Sequence, residues 1–194
     1  MEVQKERLLA RRAAMRAAGH WRDETLLDHL ARAVAARPGH TAIVARRSET
    51  GEARRITYAE LDRLSTLVAM SLRERGIGAG DVVSFQLPNW WEFSVLHLAC
   101  LKLGAVSNPL MVIFRERELG FMLGLAESKV MVVPHRFRGF DYPAMVANVR
   151  DRLPALKHVV VAGGTGPDAY DTLLSPQGDP AAFRPAPPSP DDVI

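Results

Sequence analysis

The side chains that could do chemistry in this sequence are scattered, and their spacing limits what each can do. The glycine cluster in "VVVAGGTGPD" puts Gly163, Gly164 and Gly166 directly after an apolar run. A strand, a glycine turn and then a helix would aim backbone N–H groups at a phosphate. The cluster fits neither the dinucleotide-binding glycine pattern nor the P-loop, and no lysine follows it to meet terminal phosphates. A phosphate cradle and a plain surface turn both remain, and the missing lysine favours the turn. Arg115 and Arg117 in "FRERE", with Arg136 and Arg138 in "RFRG", fall near strand-to-helix connections. At the carboxyl edge of a parallel sheet they would either meet an anionic ligand or form a solvated rim.

The remaining candidates read as structural. Of the histidines, His20, His29, His40, His97, His135 and His158, no two stand four apart on one helix with an acid between them, so no zinc signature exists. His97 lies in an apolar helix and reads as a satisfied core histidine rather than a base. Glu116 with Glu118, and Asp191 with Asp192, read as helix-end or loop charge, because neither spacing faces two carboxylates across a substrate. Cys100 in "LHLACLKL" reads as a small buried hydrophobe. The expectation is therefore no catalytic, cofactor-binding or metal-ligating residue set within these residues.

The elements that would position any site follow from periodicity. Val3 to Ala18 predicts a helix stopped by Gly19; Thr25 caps a second one, "TLLDHLARAVAAR", ended by Pro38 and Gly39. "TAIVARR" and "ARRITY" flank "SETGE" as a hairpin turning at Gly51. Thr57 and Glu60 form a capping-box pattern before Leu61, Leu64, Val68 and Leu72, the core stripe of a helix closed by Gly76. Short strands "VVSFQL", "AVSNPL", "KVMVVP" and "KHVVVA" then alternate with the helices "WEFSVLHLACLKLG", "RERELGFMLGLAES" and "DYPAMVANVRDRL". The first of these helices is apolar nearly all round and so should be buried on most sides. This alternation predicts an α/β fold with a mostly parallel, right-handed sheet and flanking helices. Leu174 to Pro190 holds six prolines and reads as a connecting loop, with "PDDVI" leading towards a further strand. The expected divisions are 1–55 (helices and hairpin), 56–174 (βαβ-type unit) and 175–194 (proline-rich loop).

Composition sets the outer bounds. With 194 residues, 47% apolar and 24% charged, the chain suits one folded domain, or one and a part, and not a disordered tail. Arginine outnumbers lysine 21 to 4, which points to a G+C-rich genome. The +3 net charge is concentrated in residues 1–55, which hold 12 basic against 7 acidic side chains. "KERLLARRAAMR" could meet nucleic acid, but a solvated helix is the plainer reading. The N-terminus lacks an apolar signal core, and no apolar run approaches the ~18 residues of a membrane span. One cysteine suits a reducing cytoplasm, so the expectation is a cytoplasmic protein with neither nucleic acid nor membrane partner.

The stretch from Ile56 to Leu110 closely resembles the opening region of the AMP-forming acyl-CoA synthetases, the adenylate-forming ligase superfamily. "ITYAEL" resembles their first core motif and "LKLGAVSNPL" their second, with "RGIGAGDVV" and "LPN" between them in the right order. The resemblance runs from about Thr25 to Ile194, and "PHRFRGFDYPAMVANVRDRLPALKHVVV" is most similar to the cyclohexanecarboxylate-CoA ligase branch. It implies the N-terminal portion of the large domain of a carboxylic acid–CoA ligase, working through an acyl-adenylate with ATP, Mg and CoA. It also implies that the phosphate loop, the later nucleotide motifs and the catalytic lysine lie beyond Ile194, leaving this part inactive alone and prone to self-associate at an uncovered sheet edge. Which acid is used and whether copies form a homo-oligomer stay open. A free-standing, non-catalytic partner-binding or regulatory α/β module is the alternative; a dinucleotide-binding domain built on the Gly163 turn is a third.

Overall fold

The computed structural model describes residues 2–186 and 189–191; the expected strand entry at Val193–Ile194 lies outside them. Helix α1 (Glu2–Ala17) ends at Gly19, whose φ of +71° turns the chain out of the helix. Leu8 and Leu9 are exposed, so α1 stands off the core. Arg12 and Arg16 instead hold Asp191, at 2.7 and 2.8 Å. Helix α2 (Leu26–Ala36) carries a full capping box: Asp28 N–H donates to Thr25 Oγ1, and Thr25 N–H donates to Asp28 Oδ2.

Strands β1 (Thr41–Arg46) and β2 (Ala53–Thr57) form the antiparallel hairpin, and β2 runs straight into α3 (Tyr58–Glu74). Here one expectation is corrected. Glu60 N–H donates to Thr57 Oγ1 at 3.2 Å, but the Glu60 carboxylate does not return to the cap. It pairs with Arg54 on β2 at 2.8 Å, because a guanidinium is a stronger partner than a neutral amide. The core stripe of α3 is as expected, with Leu61, Leu64, Val68 and Leu72 all buried.

The centre of the molecule is a parallel sheet of β3 (Val82–Phe85), β4 (Val106–Pro109), β5 (Val130–Pro134) and β8 (His158–Ala162). Its strand order, β4-β3-β5-β8, settles the α/β class. Helix α4 (Trp91–Leu103) links β3 to β4, and α5 (Glu116–Leu125) links β4 to β5. A small hairpin, β6 (Arg136–Phe137) and β7 (Phe140–Asp141), followed by α6 (Tyr142–Arg150), links β5 to β8. Every residue of β5 is buried, as a strand covered on both faces requires. A polar line links β3, β4 and the turn before β5: Ser84 Oγ lies 2.6 Å from Ser128 Oγ and accepts from Asn108 Nδ2 at 2.9 Å. Burial without such partners would cost each hydroxyl about 1–3 kcal/mol.

The glycine turn does not open a helix. Gly163 and Gly166 take positive φ (+74° and +81°), and the chain folds back so that Val161 N–H donates to Asp168 O. The next element is a 3-10 turn, Tyr170–Leu174, too short to carry the helix end that a phosphate cradle needs. The proline-rich tail contains a second such turn, Pro180–Ala182, and runs along α3.

Candidate functional site

Strand order places the site. The chain moves from β3 to β4 on one side, then crosses back past β3 to β5. The crevice outside the carboxyl ends of β3 and β5 is therefore the topological switch point, where open α/β sheets receive ligands. A cleft of about 410 Å³ lies there, within the size range of small-molecule sites. Leu87, Pro88 and Asn89 enter it after β3, Leu110 to Val112 after β4, and Phe137 and Arg138 after β5.

Its walls are held by side chains reaching across the sheet. Gln86, fully buried, donates from Nε2 to Met111 O and Phe114 O at 2.7 and 3.0 Å. Tyr142 Oη donates to Val112 O at 2.9 Å, and Arg115 Nη1 donates to Val112 O and Phe114 O, both at 2.8 Å. Residues 111–114 are thus pinned by their carbonyls, and Met111 and Ile113 point outwards, 59% and 63% exposed.

Of the four arginines singled out in the sequence, only Arg138 lines the cleft. Arg115 is spent on those carbonyls and stacks over Phe140, 4.0 Å from the ring centroid. Arg117 is exposed, and Arg136 sits 3.6 Å from Asp141. Arg138 has a φ of +50° and Gly139 one of +77°, the two positive values of a tight hairpin turn. A non-glycine residue held there costs about 1–3 kcal/mol, so the turn aims Arg138 at some expense. The reach of one cation and one amide (Asn89) over an apolar floor suits an anionic head on an apolar body.

Behind the cleft stands a feature that sequence reasoning missed. Glu92 on α4 is only 3% exposed and pairs with Arg47, just past β1. Arg47 lies over the Trp90 ring at 3.8 Å, and Trp90 packs edge-on against the cleft residue Phe137, centroids 6.1 Å apart. Arg54 covers Trp91 in the same way at 4.2 Å. The hairpin thus props the cleft wall through the Arg47–Trp90 stack, while the Arg54–Trp91 stack ties it to Tyr170 behind. Burial pushes the Glu92 carboxyl above its ordinary range, against the pull of Arg47 and Arg54, and its Oε2 has no partner among the described residues. The available signal was "NWWE", an acid following two tryptophans at the start of an otherwise apolar helix.

The other candidates take structural places. His97 is half-buried with Nδ1 2.7 Å from Ser107 Oγ, and burial lowers its pKa. Glu116 and Glu118 occupy the first turn of α5, where Glu118 accepts from Arg115 N–H. Asp191 is consumed by Arg12 and Arg16, and Asp192 lies outside the described residues. Lys102, predicted as part of an apolar helix, is buried and donates to Asp62 Oδ1, Asp62 O and Thr66 Oγ1 at 2.7–2.8 Å. Among the described residues no cluster of His, Cys, Asp or Glu is placed to hold a metal, and no helix is long and apolar enough to cross a membrane. Cys100 is fully buried and its thiol is pushed up to about 12. It should resist iodoacetamide in the native chain and react fully once unfolded in guanidinium. Alkylation at equal rates in both states would contradict the packing around α4.

A parallel sheet with a cleft across its switch point defines a class, the α/β proteins that bind nucleotides and small molecules at the sheet's carboxyl edge. Comparison with known proteins narrows it. Residues 30–194 match the family model for AMP-binding enzymes, and the chain belongs to that family. It is 34% identical over 165 residues to the medium-chain fatty-acid–CoA ligase of Escherichia coli strain K12, covering 85% of this chain and 28% of that protein. It is 37% identical over 156 residues to the 2-hydroxy-7-methoxy-5-methyl-1-naphthoate–CoA ligase of Streptomyces carzinostaticus, covering 80% and 27%. Among solved structures, apo MbtA of Mycobacterium smegmatis superposes with a TM-score of 0.77 at 30% identity, over 93% of this chain and 32% of that one. The chain thus spans between a quarter and a third of the length of these proteins.

Proposed function

We propose that the chain serves as the N-terminal portion of an ATP-dependent, AMP-forming carboxylic acid–thiol ligase. A carboxylate attacks the α-phosphorus of ATP, pyrophosphate leaves, and the CoA thiolate then displaces AMP from the acyl-adenylate. The observation that carries this reading is the family match over residues 30–194, on a sheet whose switch-point cleft is built by the same residues. ATP, CoA and Mg²⁺ belong to this proposal, the metal on the strength of the sequence resemblance alone. The share of the work assigned to these residues is framework: a rigid sheet, and one wall of a site whose charge-stabilising groups come from elsewhere. Arg138 and Asn89 would face an anionic head group across the cleft. The acid class is a medium-chain or ring-bearing acid. One named relative acts on a medium-chain fatty acid and another on a naphthoate, and residues 134–161 resemble the cyclohexanecarboxylate branch.

Acid-dependent pyrophosphate–ATP exchange tests this, with octanoate, cyclohexanecarboxylate and salicylate as acids. Residues 1–194 alone should give no exchange above buffer, and the longest reading frame containing them should give exchange with at least one acid. Exchange at enzymatic rates from residues 1–194 would refute the framework role. A longer product silent with every acid would refute the ligase reading and favour a non-catalytic module.

A further inference from the structure

A line of contacts runs from inside α4 to the switch-point cleft. It starts at Glu92, in the first turn of α4 and only 3% exposed. Glu92 pairs with Arg47, whose guanidinium lies over the Trp90 ring at 3.8 Å. Trp90 meets Phe137 edge-on, with centroids 6.1 Å apart. The cleft arginine, Arg138, lies over the Phe137 ring in turn, at 5.2 Å. Two cations and two rings are thus strung behind one buried carboxylate. We propose that Glu92 is a proton-operated latch on the cleft: when its carboxyl takes up a proton, Arg47 swings from Trp90 into solvent and the Phe137–Arg138 wall loosens. The latch acts on the shape of the cleft whatever ligand enters, so it stands or falls separately from the ligase reading.

Coupling of this kind needs an element with two discrete arrangements, and Arg47 supplies it. Its side chain is 22% exposed, and a guanidinium gives up that much hydration only against an opposite charge. A neutral Glu92 removes the charge, leaving ring contact alone to hold the cation. Solvent is close, because Arg47 stands just past the end of β1 and is already partly exposed. The carboxylate itself is poorly kept. Its Oε2 has no partner among the described residues, and burial pushes its pKa above the ordinary glutamate range. Arg47 and Arg54, from the β1–β2 hairpin, favour the charged form, as does the Glu92 N–H at the helix start. Asp171, in the 3-10 turn after β8, opposes it. The Tyr170 hydroxyl, from the same turn, reaches the Glu92 carbonyl and not the carboxylate. Arg54 is engaged with Glu60 at 2.8 Å and lies over Trp91, so it does not take the place of Arg47.

The test is a pH titration of the 194-residue chain labelled with 15N, read at the Trp90 indole and at the amides of Phe137, Arg138 and Gly139. These signals are expected to share one step, with its midpoint above the ordinary glutamate range. His135 and Asp141 border the β6–β7 turn and ionise too, so the step that counts is the one lost in Glu92→Gln. In that variant, whose amide copies the neutral acid, the Trp90 indole should rest at its low-pH position throughout. In Arg47→Met the shared step should vanish from the cleft amides even though Glu92 still ionises, because the cation that carries it is gone. The proposal fails if the cleft amides of the unaltered chain have no step in common with Trp90, a result that needs no variant to fold. It fails equally if Glu92→Gln keeps that step, or if Arg47→Met shows it undiminished at the three amides.

Discussion

Replacing Arg47 with methionine is expected to destabilise the fold by about 3 kcal/mol at neutral to mildly alkaline pH. The substitution keeps the length of the side chain but removes the cation that faces a carboxylate with 4% side-chain exposure. Glu92 Oε2 already lacks a partner among the described residues, so the loss leaves a buried anion supported by a backbone N–H and by the charge of Arg54, with no cation paired to it. Arg47 is itself 22% exposed, which places the effect at the lower end of those seen when buried pairs are broken. The pH dependence has a definite sign. Burial raises the folded pKa of Glu92 above its unfolded value. The folded state therefore holds this proton more tightly, and the favourable contribution is complete below the ordinary glutamate range and lost as pH rises through the folded pKa. Without Arg47 that pKa rises further. The deficit of the variant should shrink in acid and grow towards alkaline pH, as read by urea melts across the range. A deficit independent of pH would mean that Glu92 is not the group exposed by the change. Arg47→Met with Glu92→Leu should recover most of the loss, since a packed apolar pair replaces the ionic one. Near-additive losses in the double variant would show that the two side chains do not act on each other.

That pair also marks where sequence reading stops. The strands were legible because valines and neighbouring apolar residues come in short runs divided by Pro88 and Asn89, by Gly104, and by Ser128. The helices were legible because Leu61, Leu64, Val68 and Leu72 keep helical spacing and Thr25 and Thr57 cap their starts. Arg47 and Glu92 are 45 residues apart, and Lys102 and Asp62 are 40 apart. No local pattern states that either pair meets; each depends on how α3, α4 and the hairpin are stacked. The β6–β7 hairpin was missed for a different reason. Its turn is Arg138–Gly139, and arginine at a positive φ is not a residue that turn rules nominate. The cleft was legible only as an edge where arginines gather. Which arginine lines it depended on Arg115 having been taken by the carbonyls of Val112 and Phe114.

The segment after the glycine turn carries the other large expected effect. Residues 174–190, rich in proline and without periodicity, read as a connecting loop; Tyr170 and Leu173 just before them and Phe183 within them are all buried. Tyr170 stands edge-on to Trp91 with centroids 5.7 Å apart, and its hydroxyl reaches Glu92 O at 3.4 Å. Around these anchors, Gln177 N–H donates to Glu74, Ala186 N–H donates to Lys102 O, and Arg73 both stacks over Phe183 and donates to Arg184 O. Exposed polar contacts of this kind hold a strap only if its apolar anchors stay in place. Tyr170→Ala should therefore cost about 3–5 kcal/mol, the range for emptying a buried aromatic site. Tyr170→Phe should cost about 1 kcal/mol or less, because the hydroxyl bond it removes is long. Amide exchange separates local release from general weakening. In Tyr170→Ala the Gln177 and Ala186 amides should lose protection first, well before those of β5. If those two amides keep their protection while the sheet weakens, Tyr170 supports the core alone and the tail is held by its own contacts. Early loss instead would make residues 170–186 the outer wrapping of α3, docked by a ring that local sequence pattern gave no reason to single out.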